Sequence, residues 1–282
     1  MNIIGQIDQS VFASPQRLHH RLDESTIEFP SSVGSRARGL LALKACNWRA
    51  ASGGGWKNPY ITDGLVAMWD GEWNVGGGLP HDATTGTWRD ISGNGFDLTM
   101  MVGERTSWGD MYVENDVYAA GQVQCSAFLD DDQKSSEIAG KIMTIEAVVS
   151  DWFRGQRIVV TPNKYRHLGY IGAITIGVGN FGGTATLPNS HDVSMVSVCY
   201  EGPPSTDVTR NDRVYKNGGR VAWENRWGTD FSNAKFSVMG SYGFDHRICY
   251  GRMYGLRIYS RALSDTEVAE NYAVDKARFG LT

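Results

Sequence analysis

Paired carboxylates are the residues whose spacing bears most directly on catalysis in this sequence. Hydrolysis of a glycosidic bond needs two carboxylates across that bond, and alternation along a strand puts residues i, i+2 and i+4 on one face. Glu146 is alone in the strand-like run TIEAVV, and the odd spacing to Asp151 places that residue on the opposite face. The histidines are scattered and no GxSxG motif is present. Carboxylates from different strands could still converge, but the sequence predicts no enzyme.

A metal site is the second chemistry that the sequence could support. Asp90, Asn94 and Asp97 surround the turn SGNG, and Asp70 and Asp82 are close in sequence. Carboxylate and amide oxygens are the ligands that Ca²⁺ prefers, so calcium at Asp90, Asn94 and Asp97 is one hypothesis. The alternative, which we favour, is that Asp90 and Asn94 cap the turn through hydrogen bonds to the backbone.

Two loops combine aromatic and polar residues in a way that suits carbohydrate, since ring stacking and hydrogen bonds to hydroxyls act together there. The first loop, WENRWGTD, offers Trp223, Asn225, Arg226, Trp227 and Asp230. The second, rich in glycine, offers Trp73, His81 and Asp82. The alternative for each loop is an aromatic side chain packed beneath it.

Many short strands and one helix must position these residues. LVAMWD predicts a buried first strand, and TWRDI and FDLTMMV flank the SGNG turn, so that Trp69 and Trp88 belong to the core. The run from 141 to 153 is apolar on both faces, which predicts a central strand, and RVYKNGGRVAW predicts a hairpin. Near the C-terminus, Ser264 and Glu267 form a capping box, while Leu263 and Val268 form a hydrophobic staple that starts a helix.

Composition excludes several functional classes. The formal net charge is −4, without the basic excess of a nucleic-acid-binding protein, and no stretch is long and apolar enough for a membrane span. The first residues do not form a secretory signal, so we expect reduced, mostly buried cysteines with no CxxC spacing: Cys46, Cys125, Cys199 and Cys249. Residues 1–60 lack periodicity and read as an extended arm, and residues 61–282 read as one β-rich domain.

The ordered motifs of residues 63 to 280 resemble one family. The run GLRIYSRALSDTEV resembles the closing strand and helix of concanavalin A-like, laminin G-like domains, TWRDISGNG resembles their opening, and VYKNGGRV resembles their middle hairpin. The resemblance implies an all-β jelly-roll sandwich of two antiparallel sheets with a short C-terminal helix. Members of this family bind glycans or proteins, often beside calcium. Some are glycoside hydrolases with an E-x-D-x-x-E strand, which this sequence lacks.

The resemblance also implies a setting, because similar domains occur in phage structural proteins. We therefore expect a non-enzymatic module on a virion surface, as a head-fibre, decoration or tail protein, made in the host cytoplasm. It would bind host or mucosal carbohydrate in many copies or as a homo-oligomer, and the N-terminal arm would contact other virion proteins. A purely structural protein with protein contacts alone is the first alternative, and a glycoside hydrolase is the second.

Overall fold

Two stacked antiparallel sheets form the part of the chain that the structure describes, which confirms the predicted all-β sandwich of the jelly-roll type. The computed structural model describes residues 57–101, 106–115, 125–151, 156–162, 166–170, 174–178, 181–185, 191–201, 212–222, 224–227, 235–240, 242 and 250–282. The predicted arm of residues 1–60 therefore lies outside the described residues, apart from Lys57 to Tyr60.

The first sheet has eight strands in the order β14-β13-β12-β7-β17-β5-β4, with β1 also paired to β17. Its strands are β1 (Leu65–Asp70), β4 (Thr106–Trp108), β5 (Val113–Asn115), β7 (Thr144–Ser150), β12 (Ser194–Cys199), β13 (Arg213–Lys216), β14 (Gly219–Val221) and β17 (Gly251–Tyr259). Strand β7 is buried throughout and pairs with β12 and β17. This confirms the central strand predicted between 141 and 153.

The second sheet has nine strands in the order β15-β11-β10-β9-β8-β16-β6-β3-β2. Its strands are β2 (Thr87–Trp88), β3 (Leu98–Met100), β6 (Ala127–Phe128), β8 (Gln156–Val160), β9 (Arg166–Tyr170), β10 (Ile174–Val178), β11 (Phe181–Ala185), β15 (Glu224–Trp227) and β16 (Ser237–Val238). Strands β2 and β3 pair across the SGNG turn, as the sequence predicts.

The core lies between the two sheets and contains Trp69 and Trp88, both fully buried as predicted. Each indole nitrogen donates to a backbone carbonyl, Trp69 to Phe96 at 2.9 Å and Trp88 to Asp70 at 3.0 Å. These bonds remove the cost of burying the indole N–H groups, so the full hydrophobic gain of about 1.5 to 3 kcal/mol per large side chain is retained. Cys125 and Cys199 are buried free thiols, as expected, while Cys46 and Cys249 lie outside the described residues.

The C-terminal helix, numbered α2 (Asp265–Phe279), begins at the predicted capping box. The Ser264 side chain accepts from the Glu267 backbone N–H, and the Glu267 carboxylate accepts from the Ser264 backbone N–H. Leu263 and Val268 are buried together, as the predicted staple requires. Gly280 ends the helix in the left-handed conformation.

A second helix, α1 (Asp132–Lys141), was not predicted from the sequence. Asp131 caps it by accepting hydrogen bonds from the backbone N–H groups of Gln133 and Lys134. Its buried side chains are Ser135, Ile138 and Ala139, too few and too small to produce a clear apolar stripe in the sequence. Within the described residues, neither helix is long and apolar enough to cross a membrane.

Candidate functional site

The outer face of the first sheet is largely covered by helix α2 through buried charged residues. Arg257 on β17 donates to Glu146 on β7 at 2.9 Å and to both carboxylate oxygens of Asp275 on α2 at 3.0 and 2.6 Å. Asn271 also donates to Glu146, at 2.8 Å. Burial raises the pKa of Glu146, although Arg257 opposes that shift. This carboxylate lies beneath the helix, where no substrate can reach it.

Arg278, near the end of α2, lies over one face of Trp73, the aromatic residue predicted in the glycine-rich loop. The guanidinium carbon lies 3.9 Å from the centre of the indole ring, and Trp73 is only 7% exposed. Arg278 also donates to Tyr60 at 2.7 Å, so residues on both sides of the predicted boundary at 60 pack under this helix. Trp73 is thus packed against Arg278, as in the alternative that the sequence leaves open for this loop.

His81 and Asp82, the other two residues predicted in the glycine-rich loop, hold the loop closed. The Nδ1 atom of His81 lies 2.8 Å from the carbonyl of Gly71. The Asn74 side chain donates to the Asp82 carbonyl at 2.7 Å and accepts from the Asp82 N–H at 3.0 Å. The structure thus places Trp73 in the packing beneath the loop and His81 and Asp82 in its hydrogen bonds, and carbohydrate binding at these three residues stays a prediction.

Asp90, Asn94 and Asp97, the predicted calcium ligands, organise the SGNG turn through hydrogen bonds. Asp90 accepts four, from Met68 N, Ser92 N, Ser92 Oγ and Phe96 N, at 2.9 to 3.0 Å. Asn94 donates to the carbonyls of Leu65 and Val66. Asp97 accepts from Asp90 N and pairs with Arg89. These bonds are those of the turn-capping alternative, and the described part of the chain holds no group of three or more His, Cys, Asp or Glu side chains that could hold a metal ion. Calcium binding stays a prediction.

Half of the loop WENRWGTD falls outside the described residues. Trp223 and Asp230 lie outside them, and Asn225, Arg226 and Trp227 lie on β15, of which the structure describes the backbone. That strand pairs with β11 at the edge of the second sheet. The hypothesis of a sugar platform at these five residues therefore stays a prediction.

A different group of residues comes together beyond the end of α2, on the outer face of the first sheet. We call it the Tyr112 surface and define it by Tyr112, Glu114, Asp151, Arg252 and Tyr254. Val113 and Met253 point into the core, so alternation places their neighbours on the outer face. Phe279, the last residue of α2, lies beside this group, with its ring 5.5 Å from that of Tyr254.

Aromatic and charged side chains are interleaved on the Tyr112 surface. The rings of Tyr112 and Tyr254 lie 5.3 Å apart, and the Arg252 guanidinium lies 4.8 Å from the centre of the Tyr112 ring. Arg252 Nε donates to Glu114 at 2.8 Å, and Arg252 Nη1 lies 3.6 Å from Asp151. The hydrogen bond to Glu114 raises the pKa of Arg252, so the guanidinium keeps its charge while 37% of its side chain is exposed.

Irregular backbone positions these side chains. The register of β17 against β7 shifts between Met253 and Gly255, so Tyr254 is the extra residue of a bulge, a feature that re-aims side chains and is common beside functional sites. Asp151 follows β7 with φ +57°, and its carboxylate accepts from Ser150 Oγ and contacts His191 Nδ1, each at 3.1 Å. At Gly251, φ is +111°, and a Cβ atom would stand 2.4 Å from the Ser150 carbonyl oxygen. The close approach of β17 to the end of β7 thus requires glycine.

A second aromatic pair lies on the outer face of the second sheet. We call it the Tyr242 surface and define it by Phe128, Asp130, Lys235 and Tyr242. The two rings stack at 4.4 Å, and the Lys235 ammonium lies 5.6 and 5.5 Å from their centres. The same ammonium donates to the backbone carbonyl and the carboxylate of Asp130. Because Phe128 is buried and Lys235 is held by Asp130, this surface offers a ligand less than the Tyr112 surface.

The Tyr112 surface was not predicted from the sequence because its members lie on or next to three separate strands, β5, β7 and β17, and Tyr254 lies at a bulge in β17. The signals that existed are faint: the pattern Tyr112-Val113-Glu114 alternates polar and apolar residues, and Arg252-Met253-Tyr254 does the same. Nothing in the linear sequence shows that these two segments pair as β5 and β17.

Solved structures share this fold at low sequence identity. A Trypanosoma rangeli sialidase in complex with 2,3-difluorosialic acid matches with a TM-score of 0.53 and 14% identity over 86% of this chain and 40% of the sialidase. The same sialidase with sialic acid matches with a TM-score of 0.52 and 14% identity over 76% and 33%. The chain thus spans less than half the length of these sialidases. At such identity the likeness shows the fold alone.

A further likeness is to the receptor-binding domain of botulinum neurotoxin type G, with a TM-score of 0.48 and 13% identity over 76% of this chain and 52% of that one. No protein-family model matches the sequence, and no curated protein matches it.

Proposed function

We propose that this chain is a non-catalytic carbohydrate-binding module of the laminin G-like type and that the Tyr112 surface holds the glycan. The observation that carries the proposal is the partly exposed Arg252 side chain, whose guanidinium lies on the Tyr112 ring beside Tyr254, Glu114 and Asp151. Sugar rings pack their apolar faces against aromatic side chains, and planar polar groups take two neighbouring hydroxyls at once. The surface supplies both kinds of group at one place.

The surroundings of this surface support the same proposal. Helix α2 covers the neighbouring part of the sheet, and the buried pairs of Arg257 and Arg278 with Asp275 and Asp70 fix that helix in place. The side chains of the Tyr112 surface are partly exposed beyond the helix end. A binding surface on such a rigid frame loses little conformational entropy when a ligand binds.

A glycoside hydrolase is the second candidate, since the sialidases share the fold. A hydrolase needs a general acid, for which a raised pKa in an accessible cleft is the usual sign. Among the described residues, the carboxyl group whose pKa is raised is Glu146, and it is buried under α2 and paired with Arg257. This supports binding without catalysis. Turnover of fluorogenic glycosides by the purified chain would instead favour the hydrolase.

The wider setting of the proposal is a multi-copy assembly on a virion surface, with residues 1–60 as the attachment. This part rests on the sequence resemblance. Many copies would let a weak site hold a glycan-covered surface through avidity. The purely structural alternative, with protein contacts alone, predicts that no glycan binds.

A glycan-array screen tests the proposal. The full chain should bind a subset of glycans, Tyr112→Ala should lose most of that binding, and Tyr242→Ala, a matched change on the other sheet, should retain it. Equal loss in both variants, or binding unaffected by Tyr112→Ala, would show that the glycan does not bind at the Tyr112 surface. No binding by the wild-type chain would favour the structural alternative.

A further inference from the structure

We propose that the Tyr112 surface selects neutral glycans over acidic ones, because two carboxylates flank the guanidinium that faces the ligand. This inference rests on the proposed carbohydrate binding and adds the class of sugar. It concerns the charged side chains of the surface, which are Arg252, Glu114 and Asp151.

The charge of Arg252 is balanced by its neighbours on both sides. Glu114 accepts from Nε at 2.8 Å, and Asp151 lies 3.6 Å from Nη1. The surface therefore brings two negative charges against one positive charge. A ligand carboxylate or sulfate that approached Arg252 would meet Glu114 and Asp151 at nearly the same range, and their repulsion would cancel the attraction.

Several hydrogen-bonding atoms of the surface remain available to a neutral sugar. The hydrogen bond between Arg252 and Glu114 uses Nε and Oε1, so within the described residues Arg252 Nη2, Glu114 Oε2 and the Tyr112 hydroxyl are left for a ligand. They include a donor, an acceptor and a group that does both. Sugar hydroxyls both donate and accept, so they can satisfy all three, whereas a carboxylate or sulfate can only accept. An anionic ligand has no proton to donate, so Glu114 Oε2 would face it without a hydrogen bond.

A binding site for acidic sugars would differ from this surface, because its arginine would have no neighbouring carboxylate. A guanidinium whose terminal nitrogens have no carboxylate beside them binds a ligand carboxylate in a bidentate manner. Here the two carboxylates act as repulsive elements against such ligands, which is how an interface obtains specificity as well as affinity.

The paired substitution Glu114→Gln with Asp151→Asn removes both negative charges while keeping the size and the acceptor oxygen of each side chain. Asn tolerates the left-handed conformation at position 151 as well as Asp does, so the backbone is not strained by the change. The pair Asp130→Asn with Asp132→Asn is the matched control, because it makes the same change of net charge between β6 and the start of α1, where both side chains are exposed.

The experiment compares binding of neutral, sialylated and sulfated glycans to the wild-type chain and to both double variants at constant ionic strength. The wild type should bind neutral glycans. The Glu114/Asp151 variant should gain affinity for acidic glycans by about tenfold or more, the effect of one close charge, and the control pair should gain less than about twofold.

Three results would overturn the inference. Wild-type preference for acidic glycans would contradict it while leaving carbohydrate binding intact. An unchanged preference in the Glu114/Asp151 variant would show that these carboxylates do not set the selectivity. An equal gain in the Asp130/Asp132 control would assign the effect to net charge. Absence of all glycan binding would overturn the proposed function itself.

Discussion

Arg278 binds both carboxylate oxygens of Asp70 inside the molecule, with Nη1 2.6 Å from Oδ2 and Nη2 2.9 Å from Oδ1. Asp70 is the last residue of β1, and Arg278 is in the last turn of α2, so this pair joins the first strand to the C-terminal helix. Both side chains are almost completely buried. Such a pair is tolerated because each charge has the other, and it becomes costly when one is removed.

We predict that Arg278→Met destabilises the fold by about 3 to 5 kcal/mol, because Asp70 would remain as an uncompensated buried charge. Urea unfolding followed by circular dichroism measures the loss. Adding Asp70→Asn should recover part of it, since the unpaired charge is then gone. Lys276→Met, an exposed position on the same helix, should cost less than about 0.5 kcal/mol. A similar loss at both positions would contradict the prediction.

Glu267 should make the C-terminal helix sensitive to acid. The hydrogen bonds from Arg261 lower the pKa of Glu267 from 4.5 to about 2, and those from Ser264 add to the effect. For an acid whose pKa is lowered on folding, the stabilisation is complete above the unfolded pKa and is lost as pH falls toward the folded one. Glu267→Gln should therefore cost about 1 to 2 kcal/mol at pH 7, a difference that shrinks between pH 4.5 and about 2.

Unfolding free energies at several pH values from 2 to 7 check this prediction. Glu137→Gln is the control, because Glu137 makes an exposed i,i+4 pair with Lys141 on α1 that is worth at most about 0.5 kcal/mol. A difference between wild type and Glu267→Gln that stays constant over this range would show that Glu267 does not titrate as described.

Asp90 should stabilise the chain without calcium. Asp90→Ala removes a carboxylate that accepts four hydrogen bonds at the SGNG turn. We expect the free energy of unfolding to fall by on the order of 2 to 4 kcal/mol. The melting temperature of the wild type should be the same in calcium and in EDTA. A rise with calcium that disappears in Asp90→Ala would instead establish the metal site at Asp90, Asn94 and Asp97.

Gly251→Ala should disturb both stability and glycan binding. The added Cβ would lie 2.4 Å from the Ser150 carbonyl oxygen, at φ +111°, so β17 must move away from the end of β7 and carry Arg252 with it. We expect a loss of at least about 2 kcal/mol and weaker glycan binding. Gly86→Ala, where no heavy atom lies within 4 Å of the new Cβ, should change neither quantity, and equal effects of the two variants would contradict this account.

The elements that the sequence predicted well are those whose signals are local. The capping box of Ser264 and Glu267 spans one turn, and the apolar residues on both faces of β7 are contained in seven residues. The hairpin at Asn217-Gly218 depends on two residues with positive φ, 49° and 73°, which Asn and Gly adopt readily. In each case the residues that determine the structure are adjacent in the chain.

The site was not predictable in the same way. Tyr112 and Tyr254 meet only because β5 and β17 pair and a bulge turns Tyr254 outward, and both depend on contacts between distant segments. Trp73 looked like a ligand-facing residue because the sequence does not show that Arg278 covers its ring. Composition suggested which residue types bind sugars, but the partners of each ring decide whether it is free to do so.

The contacts that β1 and Tyr60 make with the C-terminal segment also determine when this part of the fold can form. Strand β1 pairs with β17, and the Tyr60 hydroxyl donates to Asp275, 215 residues further along the chain. These contacts cannot form during synthesis until Asp275 has left the ribosome, and closing such long loops slows folding. Until then the apolar side chains of β1 lack their strand partner, so the nascent chain passes through a late, aggregation-sensitive stage.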